Sequence, residues 1–547
     1  MRSFVLVASS VVTLALVVGC STESFDSAAK PTGPDIGGGD AGSAADAPDA
    51  KDANDAAVTT DAGPDVSLPP SCDGKKLPSE DACVIDEAAG VFVSAKDGTS
   101  VGDGTRSKPL STIGAGIALA KSASKRVYVC DGSYAESITL ANGVSLFGGF
   151  DCTTWAWKAN ARVNVVSPIS PALRADAIAK DTRVEGFNVS APAGNASTPS
   201  SIGFVATTSP GVRFVHGAIN AGAGFAGATG VDGVQLSNGP WINGDDNLQD
   251  SVCFGVSLTV CKISHASRSG GMNQCVGKAV VGGQGGDGGD GGVFIDNGFQ
   301  WSTSTSAGAG GPIVATSTTG AGGTGTSAPQ IGTPGAFGSS GANGVALGTI
   351  STAGYVVSNG SDALDGAPGQ GGGGGAGVGI PNARLPSYPQ GTTVYGIPGS
   401  GGGAGGCPGL AGTAGKGGGA SIALIASDSP MTFDDAPITA ASGGAAGAAG
   451  ISTAGTAGGS GGAQTTSSQV SWTNYLGGHG GSGGNAGLSG QGGGGPSIGY
   501  AVHGTAPTFL ASTITNGAGG TGAPAKSAPA GAIPASPTGF AGVTTAF

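Results

Sequence analysis

The sequence predicts an all-β solenoid, and three observations carry that expectation. First, one strand phrase is written three times, far apart: SIGFVAT from Ser201, SIALIAS from Ser421 and SIGYAVH from Ser497. Each copy runs through a turn to a Phe (Phe214, Phe433, Phe509) and on to a second Ile (Ile219, Ile438, Ile514). With its closing turn the unit has the length of one solenoid coil, and one coil cannot bury its apolar face without stacking on the next. The first Ile of each copy, Ile202, Ile422 and Ile498, is therefore expected along one shared interior seam. Second, 111 of the 547 residues are Gly and only 11% are charged. Glycine costs more to order and brings no side chain to bury, which argues against a conventional helix-and-sheet enzyme core. Third, short β-branched runs alternate with Gly, Asn, Asp and Pro, the pattern of short strands and turns.

In chain order, residues 1–20 come first. Arg2 precedes an apolar run over 4–18 that is too short to span a bilayer comfortably and reads as a signal-peptide core. The ending Val17-Val18-Gly19-Cys20 resembles the bacterial lipobox, in which the Cys becomes the first mature residue and receives acyl chains. That resemblance implies lipidation at Cys20, a membrane partner through that anchor, and, with Ser21 in place of Asp, an outer-membrane lipoprotein facing the cell surface or the periplasm. Two or more acyl chains hold stably where one does not. Residues 21–70 are rich in Ala, Asp, Gly and Pro and read as a disordered, self-repelling linker. Glu23 and nine Asp stand there against Lys30 and Lys51, a sum of −8 out of the chain's −12. An acidic chain without a Lys/Arg cluster is a poor partner for nucleic acid.

The folded body is expected over 71–530, with 531–547 as a C-terminal tail. A strand at 91–94 opens it, and Ser111 is placed to cap a short helix carrying Ile113, Ile117 and Ala120 on one face. Such a helix would cover the end of a stack that otherwise exposes strand edges. Strands follow at 127–129, 137–140, 143–147 and 162–166. The stretches VFVSAKDGTSVGDGTRSKPLSTIGAGIALA and VYVCDGSYAESITLANGVSLFGGFD resemble the start of the pectin-lyase-like right-handed parallel β-helix family. The remainder is similar to Gly-rich, PGRS-like bacterial lipoproteins in which β-helix rungs alternate with GGxGG inserts. The resemblance implies fold more than activity, because the family holds lyases, hydrolases and adhesins.

Setting Cys20 aside leaves eight cysteines, an even number that favours disulfides in an exported chain. Cys130 and Cys152 lie about one coil apart, and strands ~4.8 Å apart fall within the Cα separation a disulfide tolerates. Cys72 with Cys83 and Cys253 with Cys261 are local pairs. Cys275 with Cys407 follows by elimination. The Gly-rich inserts fall at about 282–419 and 443–495. Their three-residue period, as in GGQGGDGGDGG from Gly282, suits extended polyglycine helices lying side by side on the solenoid wall. Simple disorder is the other reading of the same composition.

Candidate chemistry is sparse. Asp245, Asp246 and Asp250 form the densest acidic cluster of the body, able to hold calcium or supply an acid/base pair, or simply to solvate a turn. Asp287 and Asp290 sit in GGDGGDGGV, near the calcium nonapeptide but with Gly292 where a large apolar residue belongs. Lys416 lacks the Ser/Thr that a phosphate loop needs after its Lys. His216, His265, His479 and His503 are scattered, and Trp155 with Trp157 offers either a sugar-stacking pair or cover for a sheet. The expected role is structural, adhesive or surface-binding, toward polysaccharide or another surface protein, with no cofactor required. The alternative is a polysaccharide lyase or glycoside hydrolase of the pectin-lyase-like type.

Overall fold

A computed structural model describes residues 68–69, 71–246, 268–278, 280–288, 293–296, 301–303, 330–375, 393–395, 399–463 and 476–547. The segments assigned to the signal peptide (1–20, with Cys20) and nearly all of the linker lie outside them, as do Cys253, Cys261, Asp250, Asp290 and His265.

The first strands are β1 (Gly90–Val93), β2 (Arg126–Cys130), β3 (Gly132–Tyr134), β4 (Ile138–Thr139), β5 (Leu146–Phe150) and β6 (Val163–Val166), with helix α1 (Ile113–Ala123) between β1 and β2. Next come β7 (Leu173–Asp176), β8 (Thr182–Glu185), β9 (Phe187–Ser190), β10 (Ser201–Thr207), β11 (Val212–Val215) and β12 (Ala218–Ala221). Within the Gly-rich region lie β13 (Val293–Asp296), β14 (Trp301–Thr303), β15 (Thr349–Ser351), β16 (Gly354–Val356) and β17 (Thr393–Tyr395). The repeat copies then supply β18 (Ser421–Ser427), β19 (Thr432–Asp434), β20 (Ile438–Ala440), β21 (Ser497–His503), β22 (Thr508–Leu510) and β23 (Ile514–Thr515). The chain closes with β24 (Lys526–Ala528), β25 (Gly531–Ile533) and β26 (Ala541–Ala546).

Most of these strands form three parallel sheets. Sheet one runs β1-β2-β5-β8-β11-β19-β22, sheet two β26-β21-β18-β10-β7-β4, and sheet three β23-β20-β12-β9-β6-β3. Successive strands visit the sheets in rotation, so β10, β11 and β12 make one pass and β18, β19 and β20 the next. The repeat copies stack residue on residue. Ile202 pairs with Ile422 and Ile422 with Ile498, Phe214 with Phe433 and Phe433 with Phe509, and Ile219 with Ile438 and Ile438 with Ile514. More than 200 residues separate the first copy from the second, yet they are neighbours. Residues 541–546, assigned to the tail on sequence, are the outermost strand of sheet two.

The Phe rows and the second Ile rows build the main core, together with Phe204, Leu424, Val184 and Leu146. The first Ile row is a correction. Ile202, Ile422 and Ile498 do form one seam, but with Val205, Ile425 and Ala501 on the other face of sheet two. The reason lies at Ala423 and Leu424, consecutive residues that both enter the main core. Strict alternation, which puts every second residue on one face, breaks there. Along β10, β18 and β21 sheet two is thus buried on both faces, and Ile350, Leu347, Tyr355, Phe540 and Phe547 close the outer one.

Helix α1 buries Ile113, Gly116, Ile117 and Ala120. Its N-cap is Thr112, whose hydroxyl accepts from Ala115 N, and not Ser111. Glu136 completes the cap from a distance: its carboxylate accepts from Ile113 N at 2.7 Å and from Gly114 N at 2.9 Å. A carboxylate on the first free N–H groups satisfies orphan donors and the positive end of the helix dipole together. Glu136→Ala is expected to cost about 1–2 kcal/mol of stability, with faster amide exchange in α1 and β4 as the reading. Equal exchange in both proteins would show that the cap is not held from Glu136.

Three cysteine pairs stand at disulfide distance in the expected connectivity. They are Cys72–Cys83 (Cα–Cα 5.8 Å), Cys130–Cys152 (4.9 Å) and Cys275–Cys407 (5.8 Å).

Between and beyond the sheet strands, the described Gly-rich segments lie side by side. Hydrogen bonds between them recur every third residue: Gly332 N, Gly335 N and Gly338 N donate to His479 O, Ser482 O and Asn485 O. A chain with three residues per turn and its polar groups free for neighbours behaves so. Segment 400–419 lies at the centre and bonds to six others. Gly403 N donates to Gly478 O, Gly372 N to Gly403 O, Gly459 N to Ala404 O, Lys416 N to Ala228 O, Gly405 N to Gly283 O, and Gly271 N to Gly402 O. Almost every residue of that segment is buried. Its interior holds backbone in place of side chains, which is why Gly recurs there: a Cβ at Gly403 would stand 2.1 Å from Gly459 O.

Candidate functional site

Of the predicted acidic cluster, the two described members, Asp245 and Asp246, serve separate backbone contacts. Asp246 turns one carboxylate oxygen to Ala463 N at 2.7 Å, while Asp245 takes part through its backbone, donating to Ser269 O and accepting from Gly401 N. Asp287 accepts from Gly270 N at 2.8 Å. Among the described residues no three His, Cys, Asp or Glu side chains are grouped to hold a metal ion.

These contacts belong to a wider pattern. Asn359, Asp362 and Asp365, three residues apart, accept from Gly417 N, Ala414 N and Ala411 N, also three apart on the central segment. The hairpin 268–288 covers the other half of that segment, where the chain offers Gly402 and Gly405 to it. Past Cys407 the hairpin ends, and side-chain oxygens replace the missing backbone carbonyls. A buried amide without a partner costs free energy comparable to a lost hydrogen bond, so acids in this region are used as local acceptors. The spacing of Asn and Asp at every third position was the sequence signal for it.

The aromatic pair is also structural. Trp155 is buried and meets Phe92 edge-on at 4.7 Å, beside Tyr128, Phe147 and Phe150 on the outer face of sheet one. Burial pushes the Tyr128 hydroxyl up to about 12 and raises those of Tyr134 and Tyr355. The Lys158 ammonium, with the N–H groups of Thr154 and Thr153, holds the half-buried Asp151 carboxyl well below the usual range. Sequence reasoning missed two His–Asp pairs: His216 Nδ1 lies 3.0 Å from Asp435, and His503 Nδ1 3.6 Å from Asp428. Both sit at exposed corners where the chain passes between sheets, and His216, Asp428 and Asp435 have positive φ there. His479 Nδ1 faces Gly461 N at 3.4 Å. Lys416 stands on the central Gly-rich segment, between the backbones of 228 and 447.

One extended surface remains. Sheet one carries the aromatic cluster outside and sheet two carries the second Ile seam. Sheet three has no such cover and no Asp, Glu, Lys, Arg or His in any of its strands. Its outward positions include a row that steps from strand to strand through Ser190, Asn220, Thr439 and Thr515. A second row pairs Asn164 with Asn188. Within these rows Asn188 donates to Asn164 at 3.1 Å and Thr515 to Thr439 at 3.0 Å. Parallel strands lie ~4.8 Å apart, so hydroxyl and amide groups repeat along the sheet at that interval.

No protein-family model, curated protein or solved structure matches the chain. Among the described residues no helix is long and apolar enough to cross a membrane.

Proposed function

We propose that the chain is an exported, Cys20-anchored surface protein whose body is a right-handed parallel β-helix of the pectin-lyase-like kind. Its role on this reading is structural, adhesive or surface-binding. The observation that carries it is the uncharged Ser/Asn/Thr face of sheet three, a regular array with no acid or base to move a proton. The in-register repeat passes and the helix over the first strands support the β-helix. The signal-peptide pattern and the Val-Val-Gly-Cys ending support the anchor. A polysaccharide chain or another surface protein is the partner that such an array fits, since evenly spaced hydroxyls and amides exchange hydrogen bonds with a repeating polar ligand.

The test is a screen of the purified chain against polysaccharides, scored for binding and for bond cleavage. Binding without cleavage, weakened by Asn220→Ala and by Asn188→Ala, is the expected result. Cleavage that is lost in Asp245→Asn or Asp246→Asn would replace this reading with the carbohydrate-active enzyme.

A further inference from the structure

The two ends of the sheet stack are finished differently. At the first end, the free edge of β1 is occupied by loop backbone: Phe92 N donates to Gly104 O, Leu110 N to Phe92 O and Ser94 N to Leu110 O. Helix α1 packs over β1, β2 and β4. At the other end, β22 is the last strand of sheet one and β23 the last of sheet three, and neither has a further strand partner among the described residues. Only sheet two continues, by one strand, β26.

The core is open there as well. Leu424, Phe433 and Ile438 are fully buried, whereas their ladder partners in the last pass, Tyr500, Phe509 and Ile514, are only partly so. These three belong together: the Tyr500 and Phe509 rings are 5.2 Å apart, and a Cβ at Gly499 would meet the Ile514 side chain. Leu510 beside them is 49% exposed. An edge of this kind is a template for another strand, and proteins that leave one bare usually guard it with charge. Here no ionisable side chain occurs from Gly504 to Ala525, nor within β26.

We propose that this end is a self-association surface at which two copies of the chain pair tail to tail. A second copy is the occupant the chemistry favours, because an uncharged edge meets its own image without repulsion. The single-strand step is also self-complementary: β26 of one copy supplies the strand that β22 or β23 of the other lacks. At the first end the loop backbone on β1 and helix α1 over β1, β2 and β4 stand in the way of head-to-tail growth, so the pairing closes at two, an isologous contact.

Sedimentation equilibrium on the full chain carrying Cys20→Ser, so that no acyl chain adds association of its own, tests this. The expected mass rises with concentration and levels at two copies. Leu510→Lys and Thr508→Lys place like charges on the edge and should each weaken pairing at least about tenfold. Both positions are exposed, and an unchanged far-ultraviolet circular dichroism spectrum would certify the fold. Trp241→Lys, on the exposed apolar surface of the Gly-rich region, should leave the pair intact. A single copy at every concentration, growth past two, or dissociation by Trp241→Lys and not by the edge variants would each overturn the proposal.

Discussion

Gly405→Ala is expected to destabilise the chain by about 3 kcal/mol, read as a shift in chemical denaturation and as faster amide exchange over 281–288 and 366–372. A Cβ at Gly405 would stand 1.8 Å from Gly369 O, a backbone atom that cannot rotate away. The neighbouring segment must move, and it is held on both sides. Gly369 N donates to Gly406 O, and Gly405 N donates to Gly283 O at 2.7 Å. The Cys275–Cys407 disulfide, two residues away, keeps the hairpin from drifting outward. As in the collagen triple helix, one methyl group at a crowded axis propagates along the segments that share it.

The same substitution reverses sign in α1. At Gly114 an added Cβ meets nothing nearer than a Glu136 oxygen at 3.4 Å, ordinary van der Waals contact. Alanine is the better helix former, by up to about 1 kcal/mol in a helix interior and less in the first turn where Gly114 stands. Comparing the two variants separates the crowding of segment 400–419 from the general effect of removing a glycine. If Gly405→Ala were also stabilising, segments 358–375 and 400–419 would not be in backbone contact.

What was legible in the sequence was whatever a side chain records. The SIxxxxx copies announced their stacking because Ile, Phe and Ile recur at matching offsets and must find one another to be buried. The cysteine pairs at 72 and 83, 130 and 152, and 275 and 407 were legible through separation and parity. The face of the first Ile was not. Alternation is a rule of regular strands, and the two consecutive inward residues at Ala423 and Leu424 break it without any unusual residue type. The neighbours of the Gly-rich segments were illegible for a different reason. Every such segment offers the same donors and acceptors at the same period, so the pairing of Gly332 with His479, or of Lys416 with Ala228, leaves no mark in composition. Polar series such as Asn359, Asp362 and Asp365, or Asn243 and Asp246, betray edges of that array. The acids at 246 and 287 are visible for their charge, while their use as acceptors depends on which backbone lies beside them, 217 residues away for Asp246 and 17 for Asp287.

Phe433→Ala is expected to cost about 4 kcal/mol, and Phe509→Ala clearly less. Phe433 is fully buried between Phe214, at 5.9 Å, and Phe509, stacked on it at 5.0 Å with the ring planes 13° apart. Removing the middle ring leaves a cavity that two in-register neighbours cannot close, because their backbones are fixed by β11, β19 and β22 pairing residue by residue. Removing the last ring exposes Phe433 on one side to a space that water already reaches. The two costs are therefore a measure of where the core ends. Their concentration dependence carries more: a stability that depends on a second copy rises with protein concentration. If two copies meet at this end, the cost of Phe509→Ala should grow as concentration rises while that of Phe433→Ala stays constant. Equal costs for the two substitutions at low concentration would mean that something already closes the last pass, and the edge formed by β22 and β23 would not be free to pair.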